Sequence, residues 1–263
     1  MIANARMYAV SPSADAAWKA LLGHVIARSE LDIAIVDHAY PHKLPELWAR
    51  TDLACVFMCG WPFIREGGSK TLLAAPVPDA DWAADRAQYV SQFIVARDSP
   101  LHSLADARGH RFAYNARDSH SGYNAPRAVL AGHPHPYFSA TLGPYITHQR
   151  VVAAVASGEA DIAAIDGFTL LLLARHDPEL AAQVRAIGAT PACPIPALVA
   201  NALTDEQAED LRMVLTGLHG TEHGRRLLEA VCLRRLDRIE VGAYEATLAM
   251  ETLAVGAGYL ELE

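Results

Sequence analysis

Apolar positions repeat at helical spacing along "SADAAWKALLGHVIARS" (13–29), which predicts a first helix with Ser13 as its N-cap. Three short apolar runs follow: "LDIAIVDH" (31–38), "DLACVFMCGWPF" (52–63) and "KTLLAAPVP" (70–78). Each short apolar run reads as a buried strand. "QYVSQFIVARDSP" (88–100) is the clearest strand, with Val90, Phe93, Ile94 and Val95 closed off by Asp98, Ser99 and Pro100. "SLADARGHRFAYN" (103–115) reads as a short turn of helix, Gly109, and a strand. "QRVVAAVASGEADIAAIDGFTLLLLARHDPEL" (149–180) reads as helix, a stop at Gly158, strand, helix. "QVRAIGATPACPIPALVAN" (183–201) predicts a strand, a proline-rich crossing and a second strand. Beyond it, Thr204 and Gln207 form a capping-box pattern ahead of a long helical stretch, and residues 244–255 predict a last helix.

Strands alternate with helices along most of the chain, which predicts an α/β fold with largely parallel sheets. One pattern recurs in "LDIAIVD", "TDLACVFMCG" and "ADIAAIDG": an acid, then a buried strand that ends in a turn. Ligands of open α/β sheets sit at such turns. The segments near 88–98 and 188–200 read as two long extended crossings between halves. They predict a discontinuous first lobe of residues 1–98 and 188–263 and a second lobe of residues 99–187, the layout of a hinged binding protein.

Composition narrows the partners. The formal charge of −8 disfavours nucleic acid and anionic membrane surfaces. Any anion site must be local and made from backbone N–H groups and hydroxyls. The four cysteines form no C-x-x-C pair and no zinc spacing, which predicts free, buried thiols. His133 with His135 and His219 with His223 lack a third ligand, so neither metal nor cofactor is expected. The first residues contain no continuous apolar stretch, and the longest run elsewhere, "FTLLLLA", is too short to span a bilayer. As written the chain reads as cytoplasmic, without membrane insertion. A trimmed or misplaced start would make it periplasmic.

The chemistry concentrates in "NARDSHSGYNAPRAVL" (115–130). Ser119, His120, Ser121 and Gly122 stand directly before a helical pattern. The first turn of a helix carries unpaired N–H groups and the positive end of the dipole, so hydroxyls and a glycine there can seat an oxyanion. The same serines can simply cap the helix. Arg127, further along, is expected to lie clear of any such seat. His148 precedes another helix and can donate from its ring; its other reading is a surface histidine. Asp166 ends a strand, either to accept a ligand proton or to cap the next helix. Trp61 and Phe63 in "CGWPF" are either an apolar ligand wall or core. Tyr89 and Ser91, on the crossing strand, are placed to face a cleft.

"CGWPF", "YVSQFIVARDSPLHSLADARGHRFAYN", "SHSGYNAPRAVL", "ITHQRVVAAVASGEADIAAIDG" and "ATPACPIPALVAN" together resemble the phosphate- and phosphonate-type solute-binding proteins of ABC transporters. The resemblance covers most of residues 52–201. It implies the type II periplasmic-binding-protein fold: two α/β lobes, two hinge strands and a ligand in the interlobe cleft. It implies a small oxyanion, phosphate or phosphonate, bound through Ser119, Ser121 and His148 with Tyr89, Trp61 and Phe63 nearby, for transport or sensing. The implied partner is an ABC-transporter permease. His120 departs from the small hydroxyl residue common at its position. The same fold also includes cytoplasmic lyases of menaquinone biosynthesis, so the rival is an enzyme acting on a small carboxylated substrate, with Asp166 or His148 as general acid or base.

Overall fold

The computed structural model describes residues 1–262. They divide into two compact units, Met1–Gln88 with Pro194–Tyr244, and Tyr89–Cys193 with the segment from Glu245 onward. The first unit opens with β1 (Ile2–Asn4) and α1 (Pro12–Ser29). Ser11, not Ser13, is the N-cap: its side chain accepts from the Ala14 N–H, and Pro12 takes the first helical position, where no intrahelical N–H bond is lost. The buried face of α1 is Ala14, Trp18, Leu21, Leu22 and Val25, and Trp18 meets Phe57 edge-on at 5.1 Å.

The chain continues through β2 (Ala34–Ile35), α2 (Leu44–Trp48), β3 (Leu53–Met58), α3 (Gly60–Arg65) and β4 (Thr71–Pro78). It then crosses at β5 (Gln88–Tyr89) into the second unit. There it forms β6 (Ser91–Ala96), β7 (Arg111–Ala113), a π turn at His120–Asn124 running into α4 (Ala125–Leu130), and β8 (Ala140–Leu142). Next come α5 (His148–Ala156), β9 (Ile162–Asp166), α6 (Gly167–His176), α7 (Pro178–Ala181) and β10 (Val184–Ala189). At β11 (Cys193–Pro194) it returns to the first unit for β12 (Ala197–Ala200), α8 (Asp205–Gly217), α9 (Glu222–Ala230) and β13 (Leu233–Asp237). The Thr204–Gln207 capping box is formed. The last helix, α10 (Glu245–Gly256), belongs to the second unit.

The first unit's sheet has the order β13-β4-β12-β3-β1-β2 and the second unit's the order β10-β6-β9-β7-β8. Both are mixed, not largely parallel. β1 runs parallel to β2 and β3, but β12, β4 and β13 pair antiparallel. In the second sheet β7 is parallel to β8 and β9, while β6 is antiparallel to β9 and β10.

The C-terminal segment departs from the sequence expectation that put residues 188–263 in one lobe. Ala254, Tyr259 and Leu262 are buried in the second unit's core with Phe93, Phe112, Tyr114 and Tyr123. The Leu262 N–H donates to the Tyr123 hydroxyl at 3.2 Å, and the Tyr259 hydroxyl donates to the carbonyls of His133 and Pro134. The chain therefore crosses between units three times. The third crossing follows Tyr244, whose ring fills the space over Gly60 and whose hydroxyl donates to the Ile195 carbonyl at 2.8 Å, all within the first unit.

The four cysteines are free; Cys55, Cys59 and Cys193 are buried and Cys232 is half-buried. Among the described residues no cluster of three metal-ligating side chains occurs, and no helix is long and apolar enough to cross a membrane.

Candidate functional site

Because β7 and β9 run parallel and β6 opposes β9, one edge of the second sheet collects the C-terminal ends of β7 and β9 and the start of β6. Ser91 lies directly opposite Asp166 in that register. The loop after β7 leads through Asn115 to Ser119 and the π turn, and the loop after β8 leads to α5. This edge is where an α/β sheet places a ligand.

Ser119 is the N-cap of the π turn: its Oγ accepts the Gly122 N–H at 3.1 Å. The turn closes with an i to i+5 bond, Asn124 N–H to the Ser119 carbonyl at 3.1 Å. Such π turns recur at functional sites. The cap reading of Ser119 is thus realised, and its hydroxyl hydrogen remains a donor. Ser121 Oγ lies 3.0 Å from His148 Nε2. The two helix starts therefore meet through side chains 27 positions apart.

Gly122 is required here by close approach. A Cβ on it would fall 2.0 Å from Asn115 Oδ1 and 3.3 Å from His148 Cε1. Asn115 and His148 thus both press on the same backbone position. His148 is held by Thr147, whose side chain caps α5 by accepting the Arg150 N–H. The preceding Ile146 has a left-handed backbone, φ 72°. A β-branched residue in that conformation is strained by about 1–3 kcal/mol, and such strain clusters at binding sites. Gly143, with φ 145°, sits where a Cβ would lie 2.5 Å from the Tyr114 carbonyl oxygen.

Three polar atoms of this cluster are buried without a hydrogen-bond partner: Asn115 Oδ1, His120 Nε2 and His148 Nδ1. Burial drives the His120 imidazole down to about 3 and that of His148 to about 4. Desolvation is the only cause in each case, so both rings are neutral at physiological pH. The cluster offers hydroxyls, imidazole nitrogens and helix-start N–H groups, with no cation among its own side chains.

Asp166 is buried, and its Oδ1 accepts the N–H groups of Phe168 and Thr169 at 2.8 and 3.1 Å. It is the N-cap of α6. The Ser91 N–H donates to Thr190 Oγ1. Tyr89 is buried in the second unit with its ring centroid 6.3 Å from that of His120. Trp61 and Phe63 belong to the first unit, on α3; Arg65 lies over the Trp61 ring at 5.1 Å, and Phe63 packs edge-on against Tyr244.

Arg127 stands behind the turn, linked to His120 through Asn124. It is buried, donating from Nη2 to Asn124 Oδ1 at 3.0 Å and from Nη1 to the Leu260 carbonyl at 2.7 Å. Sequence reasoning missed Asn115, which presses on Gly122, and Asn124 and Arg127, which stand behind His120. A signal for two of them was present: His120, Asn124 and Arg127 stand at i, i+4 and i+7, one face of a helix. In the first unit, Arg6 lies just beyond the C-terminal end of β1. Its Nε is buried without a hydrogen bond, and burial lowers its pKa.

Residues 49–244 match the model of the family described as ABC transporter, phosphonate, periplasmic substrate-binding protein. The chain belongs to that family. No curated protein matches it in sequence. Among solved structures, this binding protein resembles a component of an ABC phosphonate transporter from Pseudomonas aeruginosa at TM-score 0.79 and 19% identity, covering 98% of this chain and 87% of that one. PhnD1 from Prochlorococcus marinus, solved with methylphosphonate, is similar at TM-score 0.79 and 16% identity, covering 98% of each chain. A Xanthomonas citri protein solved with chloride is similar at TM-score 0.68 and 17% identity, again covering 98% of each chain. The fold is that of type II periplasmic binding proteins, and the role is solute binding.

Proposed function

We propose that this binding protein takes a small tetrahedral oxyanion, phosphate or an alkylphosphonate, on the π-turn edge of its second unit. The observation that carries the reading is the pair of buried, unpartnered polar atoms of Asn115 and His148 on side chains that crowd one glycine with no room for a side chain, with a third such atom on His120 in the same turn. Leaving buried polar groups unpaired costs about 1–3 kcal/mol each, a cost that a ligand with matching oxygens removes. Ser119, Ser121 and His148 supply donors, and the opening N–H groups of the turn add their dipole. Asn115 Oδ1 is an acceptor, which suits an oxyanion that still carries a P–OH proton and disfavours sulfate. Tyr89, Ser91 and Asp166 border the seat, with Asp166 acting chiefly as the cap of α6. Trp61 and Phe63 stay in the proposal only as an apolar element of the first unit.

The family's description and the methylphosphonate held by the Prochlorococcus protein support this ligand class. They also support a transporter permease as the partner and the periplasm as the place of action, over the cytoplasmic reading of the sequence. Cell fractionation tests the location. The ligand is tested by thermal melts with phosphate, methylphosphonate, phosphite and sulfate. A ligand at about 100 times its dissociation constant stabilises the fold by about 2.7 kcal/mol, a rise of several degrees. If none of the four moves the melt, the oxyanion reading falls.

A further inference from the structure

The face His120, Asn124, Arg127 contains a hydrogen-bond relay whose direction follows from chemistry alone. A guanidinium only donates, so the Asn124 atom facing Arg127 Nη2 at 3.0 Å is the amide oxygen. The Asn124 Nδ2 group is then the donor on the other side. It donates to the Thr247 carbonyl at 3.0 Å and to His120 Nδ1 at 3.1 Å. Because Nδ1 accepts, the neutral ring carries its hydrogen on Nε2. That Nε2 is buried and has no partner in the protein, on a side chain only 1% exposed.

We propose that His120 is a fixed, uncharged donor to the bound oxyanion through Nε2–H, and that Asn124 and Arg127 are positioning residues that hold it in this tautomer. The inference rests on the oxyanion reading and deepens it. Arg127 is itself held by the Leu260 carbonyl, and Asn124 by the Thr247 carbonyl, so the C-terminal segment takes part in fixing the donor. The tautomer matters because the opposite one would present a lone pair to an anion. The ring faces Tyr89 on one side and, through Asn124, Arg127 on the other.

The test begins on the unmodified protein. Ring nitrogen resonances of 15N-histidine-labelled protein report which nitrogen bears the hydrogen. The expected result is hydrogen on Nε2 without ligand, and a shift of that N–H when methylphosphonate is added to saturation. Hydrogen on Nδ1 overturns the relay. An Nε2–H resonance that stays put while calorimetry records methylphosphonate binding overturns the donor assignment. If calorimetry records no heat with phosphate, methylphosphonate or sulfate, the oxyanion reading itself has failed, and the donor assignment goes with it.

Variants then separate positioning from structure. His120→Phe should weaken methylphosphonate binding about ten- to a hundredfold, the worth of a hydrogen bond to a charged group. His120→Gln keeps an N–H near Nε2 and should stay close to wild type. Asn124→Ala should weaken binding in the wild-type background and add nothing in the His120→Phe background, which has no ring nitrogen to position. Equal losses in both backgrounds would show that Asn124 acts on the fold at large and not through His120.

Discussion

Two neutral histidines buried beside one turn set a pH limit on this protein's stability. The perturbation is a drop from pH 8 to pH 5 without ligand. An unfolded imidazole titrates near 6.5, whereas His148 titrates at about 4 and His120 at about 3 in the fold. Between those values the unfolded chain binds protons that the folded chain does not, so stability falls as pH falls through 6.5 and continues to fall until the folded values are reached. At pH 5 each unfolded imidazole gains about 2 kcal/mol from its proton, and the folded rings gain almost nothing. The pair therefore costs about 4 kcal/mol between pH 8 and pH 5. For a chain of this size that lowers the melting temperature by about 10 °C. The assay is calorimetric melting at pH 8, 7, 6 and 5 for wild type, His120→Gln, His148→Gln and the double variant. Each substitution should remove about half of the slope. Exposed carboxylates and His24 titrate equally in all four proteins and cancel in the comparison. Equal slopes for wild type and the double variant would refute the reasoning, because no buried neutral imidazole would then be present.

Ser121→Ala removes the hydroxyl that meets His148 Nε2 and should weaken phosphate or methylphosphonate binding about ten- to a hundredfold by calorimetry. Gly143→Ala places a Cβ against the Tyr114 carbonyl and forces a left-handed backbone on alanine, so chemical denaturation should show a loss of about 1–3 kcal/mol. Ending the chain after Tyr244 removes Ala254, Tyr259 and Leu262 from the second unit's core and takes away the acceptors of Asn124 and Arg127. Amide exchange should speed up in β7 and α4 and leave β3 and β12 of the first unit unchanged; uniform protection throughout would contradict the assignment of α10 to the second unit.

What the sequence disclosed depended on whether local pattern or tertiary contact decided the outcome. The run from α5 through β9 to α6 was legible because helical spacing, a stop at Gly158 and an aliphatic strand ending in a cap are all local. β1, β8 and β13 were not. The first two are three residues long, and β13 reads "LRRLD", with Arg234 and Arg235 engaged by Asp79 and Asp85 at the sheet edge. Sheet direction was also hidden: nothing in "KTLLAAPVP" or "PALVAN" says that β4 and β12 run antiparallel. The C-terminal helix was placed in the wrong half because its membership rests on Tyr259, Leu262 and two backbone carbonyls. The serine turn and His148 were visible as two helix starts. Their union through Ser121 and His148, and the pressure of Asn115 on Gly122, needed the fold.

The seat's neutrality has a consequence for how it recognises an anion. The chain carries a formal charge of −8, so its long-range field does not draw anions in. The proposed seat has no lysine or arginine of its own; it would rely on oriented N–H and O–H groups that act at hydrogen-bond distance. Such short contacts inside a buried site are screened little by salt, in contrast to exposed charge pairs, which weaken as the Debye length shrinks from about 30 Å at 0.01 M to about 3 Å at 1 M. Affinity should therefore change little across that range. A steep loss with salt would instead show a cation at work. Recognition by neutral donors also shifts the burden of selectivity onto geometry. In the proposed seat, donor placement would select the tetrahedral oxygens, and the acceptor at Asn115 would favour an oxyanion that retains a proton over one that does not.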